Sequence, residues 1–180
     1  SAAQVECLSH KQRRDLYLAR PLMGLLQQAH HRNNPNDFQA FLEAGHLHYW
    51  LLRRGEEVDA AAVGIEEPPV EPELLTEIAA GRRRLPGQLL RQSLAFYCQN
   101  QKLAAMPGAR IQRIATAFDL RRGGRASELL AQIEQQSLAD AGEESPVWLG
   151  TSFPAEPALI RFWQKNGYQL IRLGLKPDRI

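Results

Sequence analysis

Between Arg121 and Ala126 the chain reads Arg-Arg-Gly-Gly-Arg-Ala, a run suited to holding phosphate. Gly123 and Gly124 lack a Cβ, so a ligand can approach the backbone closely. If a helix starts here, its first turn leaves N–H groups unpaired and carries the positive end of the dipole. A pyrophosphate fits such a helix start. The bland alternative is an ordinary strand–turn–helix whose glycines only shape the turn.

Elements must position this turn. Ile111, Ile114, Ala115 and Phe118 supply the apolar part of a strand before it. Ala126, Leu129, Leu130 and Ile133 recur at helical spacing after it, and predict a helix running to about Ala141. Upstream, residues 1–30 read as helical, and Asn36 or Asp37 is a candidate cap for a helix holding Phe38, Phe41 and Leu42 that ends at Gly45. His46 to Arg53 and Val58 to Ile65 read as an antiparallel hairpin turning at Gly55. Helices follow near Glu73–Ala80 and Leu89–Tyr97, separated by a basic turn, Arg82-Arg83-Arg84 with Pro86 and Gly87. Val147 to Ser152 reads as a strand, Pro157 to Asn166 as a helix closed by Gly167, and Tyr168 to Leu175 as a last strand. That order predicts a mixed α/β domain around one sheet.

The 180 residues, 44% hydrophobic, suffice for one domain with a real core. No apolar run approaches a membrane span. Cys7 and Cys98 have no metal-ligand spacing or obvious pairing, and fit a reduced, cytoplasmic setting. His46 and His48 have no acid or cysteine at ligand spacing, so no metal is expected. Net charge is only +2 but unevenly spread: Glu56 to Glu77 holds acids and no base, whereas Arg82 to Arg125 is rich in arginine with Asp119 as its one acid. Arginine's planar fork suits phosphate, so this stretch fits the phosphates of a small ligand, RNA phosphates or a solvated surface.

The pattern Arg121-x-x-Gly124-x-Ala126 resembles the acetyl-CoA segment of the GNAT acyltransferases. Four further stretches are similar to one GNAT branch, the tRNA(Met) and RNA cytidine acetyltransferases: Ala29-His30-His31-Arg32 through Pro35 to Phe38, Gly81 to Arg84 with Gln92-Ser93-Leu94, Arg110-Ile111-x-Arg113-Ile114-Ala115, and Arg161 to Tyr168. The resemblance implies a single GNAT domain over residues 1–180, with residues 1–21 a helical lead-in and one mixed, mostly antiparallel sheet flanked by helices. It implies acetyl transfer from acetyl-CoA to the exocyclic amine of a tRNA cytidine.

On that resemblance, the backbone of Ile114, Ala115 and Thr116 and the loop Arg121, Arg122, Gly123, Gly124, Arg125, Ala126 and Ser127 would hold the cofactor, with Lys165 at a basic contact position. His30 would accept the amine proton, since imidazole titrates near neutrality, and Arg113 would position substrate or stabilise charge. Arg82, Arg83 and Arg84 would meet RNA. Read without the family, His30 is a surface or helix-end histidine and Arg113 a structural ion-pair residue. The chain departs from the family at Ala158, where an acid is usual, with Glu156 nearby, and at His31, Ala126 and Lys165. No Gly-x-x-x-x-Gly-Lys-Ser/Thr loop is present, so the chain is expected to be either an excised domain, with the family's ATP-driven, helicase-like module as a partner outside it, or a stand-alone relative. Two other functions remain open on the residues: acetylation of a protein or small-molecule amine, and a non-catalytic RNA-binding or interaction module.

Overall fold

In a computed structural model, the structure describes residues 2–7, 24–25, 47–139 and 147–174. The strands are β1 (Gln4–Cys7), β2 (Leu47–Arg54), β3 (Glu57–Glu67), β4 (Gly108–Thr116) and β5 (Trp148–Thr151); the helices are α1 (Pro72–Ala79), α2 (Leu89–Phe96), α3 (Gln101–Ala105), α4 (Arg125–Ala139) and α5 (Pro157–Lys165). One sheet has the strand order β1-β2-β3-β4-β5. β1, β2 and β3 pair antiparallel in turn. The expected mixed α/β layout is present.

The chain divides into two compact units that alternate in sequence, residues 1–66 with 111–139 and residues 67–110 with 140–180.

In the first unit, Gly55 turns the β2–β3 hairpin with φ +65°, a conformation that glycine adopts without steric cost. Tyr49, Leu51, Ala61 and Val63 lie on one face of this hairpin and are fully buried with Leu25 and Leu47, and Ala115 and Ala117 pack on the same cluster. Helix α4 packs on β1 and β2. Leu129, Leu130 and Ile133 are buried as their spacing predicts.

β1 corrects the expectation of a helical lead-in: residues 4–7 form a strand, and residues 8–21 lie outside the described residues. The strand is stabilised from far away in sequence. Gln132 on α4 accepts the Val5 N–H at 2.9 Å, and Gln136 donates to the Val5 carbonyl at 3.1 Å. An edge strand's outward polar groups are thereby satisfied.

In the second unit α1, α2 and α3 pack on one another around Leu75, Ile78, Leu94, Ala95 and Ala104. Trp148 joins this cluster and donates its Nε1 hydrogen to the carbonyls of Leu103 and Met106 at 3.1 and 3.2 Å. Pro72 and Pro157 stand in the first turns of α1 and α5, where their missing N–H costs nothing. Gly167 follows α5 at φ +85°, the left-handed stop its position predicts. Residues 168–174 form no strand, against expectation. Leu170 and Leu173 are about half exposed, and among the described residues no strand pairs with this segment.

Candidate functional site

The turn after β4 is built by short-range geometry. Ala117 leaves the strand with its N–H on the Asp59 carbonyl at 2.9 Å. Phe118–Leu120 then forms one 3-10 turn, closed by Leu120 N–H on the Ala117 carbonyl at 3.0 Å and Gly123 N–H on the Leu120 carbonyl at 3.1 Å. A Cβ on Gly123 would press on that Leu120 oxygen at 3.0 Å. Arg122 and Gly124 have φ of +64° and +80°. Alternation between left-handed and right-handed residues turns successive backbone N–H groups to one side, the geometry of an anion-binding nest. The Gly124 carbonyl then accepts the Glu128 N–H at 3.0 Å, and α4 continues for 15 residues. Its first N–H groups, from Arg125 to Ser127, lack carbonyls one turn back.

Among the described residues nothing lies within 4 Å of a Cβ built on Gly124, so the turn is open there. Backbone donors, a helix start and open space together fit a pyrophosphate. Arg121 and Arg122 are exposed there, and the Arg121 guanidinium sits 4.8 Å over the Phe118 ring. Phe118 is 73% exposed and lies in the turn, which corrects its expected place in the apolar strand.

Arg125 behaves differently. Its Nη1 lies 2.6 Å from Glu128 Oε2 and its Nε lies 3.4 Å from Asp59 Oδ2. Asp59 is buried, and it also takes Arg54 Nη2 at 2.5 Å. That hydrogen bond raises the Arg54 pKa above its ordinary value. The Arg125 side chain is thus held by protein carboxylates, and its backbone N–H is what faces a ligand at the helix start. The sequence motifs do not point to Asp59. Its one signal is an acid inside an apolar strand, where aspartate is depleted.

Ile114, Ala115, Thr116 and Arg113 follow one another along β4 and are half-buried, continuous in sequence with the turn. His30 and His31 lie outside the described residues. Arg82, Arg83, Arg84 and Lys165 belong to the second unit. Arg82 is held by Glu77 through Nε at 2.8 Å and Nη2 at 2.6 Å, and this bond draws the Glu77 carboxyl below its ordinary pKa. Arg83 and Arg84 are exposed. Lys165 stands exposed in the last turn of α5, where a cation complements the helix dipole. Glu156 is the N-cap residue of α5 and makes no side-chain cap bond.

The basic stretch is less uniform than its composition suggests. Arg91 is fully buried, Arg110 pairs with buried Glu67 at 3.2 Å, and Arg125 and Arg82 pair as described. Arg83, Arg84, Lys102, Arg121 and Arg122 are the exposed bases of this stretch without an ion pair in the described structure. His48 bonds Glu66 at 2.5 Å and stacks on Trp50. Among the described residues no group of three or more His, Cys, Asp or Glu is placed to hold a metal, and no helix is long and apolar enough to cross a membrane.

Solved structures share this architecture. AAC(6')-Iy, an aminoglycoside N-acetyltransferase, in complex with a bisubstrate analogue matches over the whole of both chains with a TM-score of 0.61 and 12% identity. A ribosomal-protein-alanine N-acetyltransferase from Brucella melitensis biovar Abortus matches 99% of this chain and 100% of its own, with a TM-score of 0.56 and 14% identity. The fold is therefore that of the GNAT acetyltransferases. Residues 21–145 match the family model of GNAT acetyltransferase 2, and the chain belongs to that family. Similar curated proteins are the tRNA(Met) cytidine acetyltransferases of Idiomarina loihiensis, 35% identical over 96% of this chain and 28% of its own length, and of Yersinia pestis, 33% identical over 96% and 24%. The chain spans about a quarter of the length of these relatives.

Proposed function

We propose that this chain is the acetyl-transferring domain of a tRNA cytidine acetyltransferase. The observation that carries the reading is the turn Arg121–Ala126, whose alternating backbone and open helix start fit the pyrophosphate of acetyl-CoA. The family membership and the named activity of the relatives support the same reading.

Acetyl-CoA supplies an activated acyl group as a thioester. The chain's residues bind and orient it. The N–H groups of Arg122 and of Gly124 to Ser127 take the pyrophosphate, with Arg121 and Arg122 as added cations and Lys165 as a further cofactor contact. The backbone of Ile114, Ala115 and Thr116 aligns the acyl arm along β4. On this reading the cytidine amine would displace CoA, leaving as its thiolate, from the thioester carbonyl carbon, and His30 would accept the amine proton as general base. A cytidine amine is weakly basic, so its proton need leave only as the carbon–nitrogen bond forms. Arg113 stabilises charge or positions the base. Arg83 and Arg84, with Arg82, take RNA phosphates, and an ATP-driven helicase-like module elsewhere in the longer protein is the partner that presents the tRNA.

The test is nucleoside mass spectrometry of tRNA incubated with acetyl-CoA and this chain, and with the His30→Ala variant. N4-acetylcytidine with the parent and its loss in the variant is the expected result. Acetylation unaffected by His30→Ala removes histidine from the mechanism. Absence of any acetylcytidine, with the longer protein also inactive, overturns the substrate.

A further inference from the structure

Asp59 grips both ends of the phosphate turn. Its backbone oxygen takes the Ala117 N–H at 2.9 Å where the turn leaves β4. Its carboxylate lies 3.4 Å from Arg125 Nε where α4 begins, and Arg54 of β2 completes the carboxylate's partners at 2.5 Å. The Asp59 side chain is only 2% exposed. A buried carboxylate is tolerated while it is paired and strongly unfavourable when it is not.

Between the two grips lie Arg122 and Gly124, both in the left-handed region. Left-handed backbone at a side-chain-bearing residue persists only where the surroundings over-determine it. Arg125 adds a second strain. It occupies the first position of α4, where a cation opposes the helix dipole, and it stays there because Asp59 and Glu128 neutralise it.

We propose that Asp59 is a positioning residue for the cofactor turn: it staples Ala117 to Arg125 and so holds the intervening backbone in the shape that receives a pyrophosphate. The inference rests on the cofactor reading above. Asp59 acts through Ala117 and Arg125 and not on the reacting atoms.

The test is calorimetric titration of CoA into this chain, Asp59→Asn, Arg125→Leu and the double variant, with amide hydrogen exchange on the same four proteins. Each single substitution is expected to weaken CoA about tenfold, as residues that act on a ligand without touching it commonly do. The double variant is expected to bind no worse than either single one, because both substitutions break the same Asp59–Arg125 pair. Exchange should quicken over residues 117–128 and stay unchanged in β2 and β3. Single variants that bind like the parent, or losses that add in the double variant, overturn the proposal. Should Asp59→Asn fail to fold, Arg125→Leu decides: unchanged protection of the turn is the contrary result. Should the parent itself not bind CoA, the cofactor reading fails separately, and the exchange comparison still reports whether the Asp59–Arg125 pair holds the turn.

Discussion

Glu67 and Arg91 bond one another twice. The Glu67 carboxylate accepts the Arg91 backbone N–H at 2.7 Å, and the Arg91 guanidinium donates back to the Glu67 carbonyl. Both residues are fully buried. The carboxylate also accepts the Leu90 N–H at 3.3 Å and so caps α2, whose own N-cap residue, Gln88, makes no cap bond. The guanidinium reaches the carbonyls of Ala104 and Met106 and the Gln88 side chain. These bonds tie Glu67 to α2 and α3 within the second unit. Burial lowers the Arg91 pKa, opposed by the Glu67 charge, but a guanidinium stays protonated in a protein.

Arg91→Leu is expected to destabilise the fold by about 3 kcal/mol, because it strands buried carbonyls and leaves Glu67 with Arg110 alone as its counter-charge. Denaturant unfolding reads this. A loss below about 1 kcal/mol, no more than a surface ion pair contributes, would contradict the account.

Gly108 and Gly150 give a graded comparison. A Cβ on Gly108 would sit 2.0 Å from Trp148 Cε2, inside a ring fixed by two hydrogen bonds, whereas on Gly150 it would meet a Leu90 methyl at 2.4 Å. A methyl on a rotatable side chain can move aside and the ring cannot. Gly108→Ala should cost about 3 kcal/mol and Gly150→Ala about 1 kcal/mol, the range for overpacking. Thermal melts of the two variants test the order, and equal losses would refute it.

Glu134 on α4 supplies a pH dependence. Burial raises its carboxyl pKa above 4.5, so the folded chain binds this proton more readily than the unfolded chain does. Its contribution therefore favours folding below the unfolded pKa and is lost as pH rises through the folded one. Glu134→Gln should be more stable than the parent at neutral pH, with the difference closing below the ordinary glutamate range. A difference that persists in acid would assign the effect to packing.

Arg83 and Arg84 are exposed, and Arg82 is engaged by Glu77. Replacing both Arg83 and Arg84 by alanine should weaken RNA binding across sequences and flatten the slope of log affinity on log salt by about 0.7 to 0.9 for each phosphate no longer neutralised. Arg82→Ala should do less. Binding isotherms at several salt concentrations decide, and an unchanged slope in the double variant would remove these arginines from the RNA surface.

Much of this fold is legible in local pattern. The β2–β3 hairpin follows from two apolar runs on either side of Gly55, and the β4–turn–α4 unit from the glycines between two periodic segments. What is not legible depends on distant partners. β1 reads as part of a helix because its alternation, Gln4 to Cys7, lasts only four residues beside the leucine-dense run that follows; its backbone is satisfied by Gln132, 127 residues from Val5. Residues 168–174 alternate like a strand but have no ladder to join in the described structure. In the site, the turn is readable because its backbone demands glycine at Gly124. Asp59 is not, because its role emerges only when β3 is laid beside both ends of that turn. Composition likewise does not separate buried Arg91 from exposed Arg83.

Titration of acetyl-CoA into this chain and into Gly124→Glu tests the cofactor turn most directly. Among the described residues a Cβ at Gly124 meets no atom within 4 Å, and the strain of a side chain at φ +80° costs on the order of 1–3 kcal/mol, less than the stability of an ordinary domain, so the variant should fold. Its carboxylate would occupy the anion's place. Saturable binding to the parent, abolished in a folded Gly124→Glu, is the predicted result. Equal binding by both proteins, or none by a folded parent, would contradict the assignment of this turn as the acetyl-CoA seat.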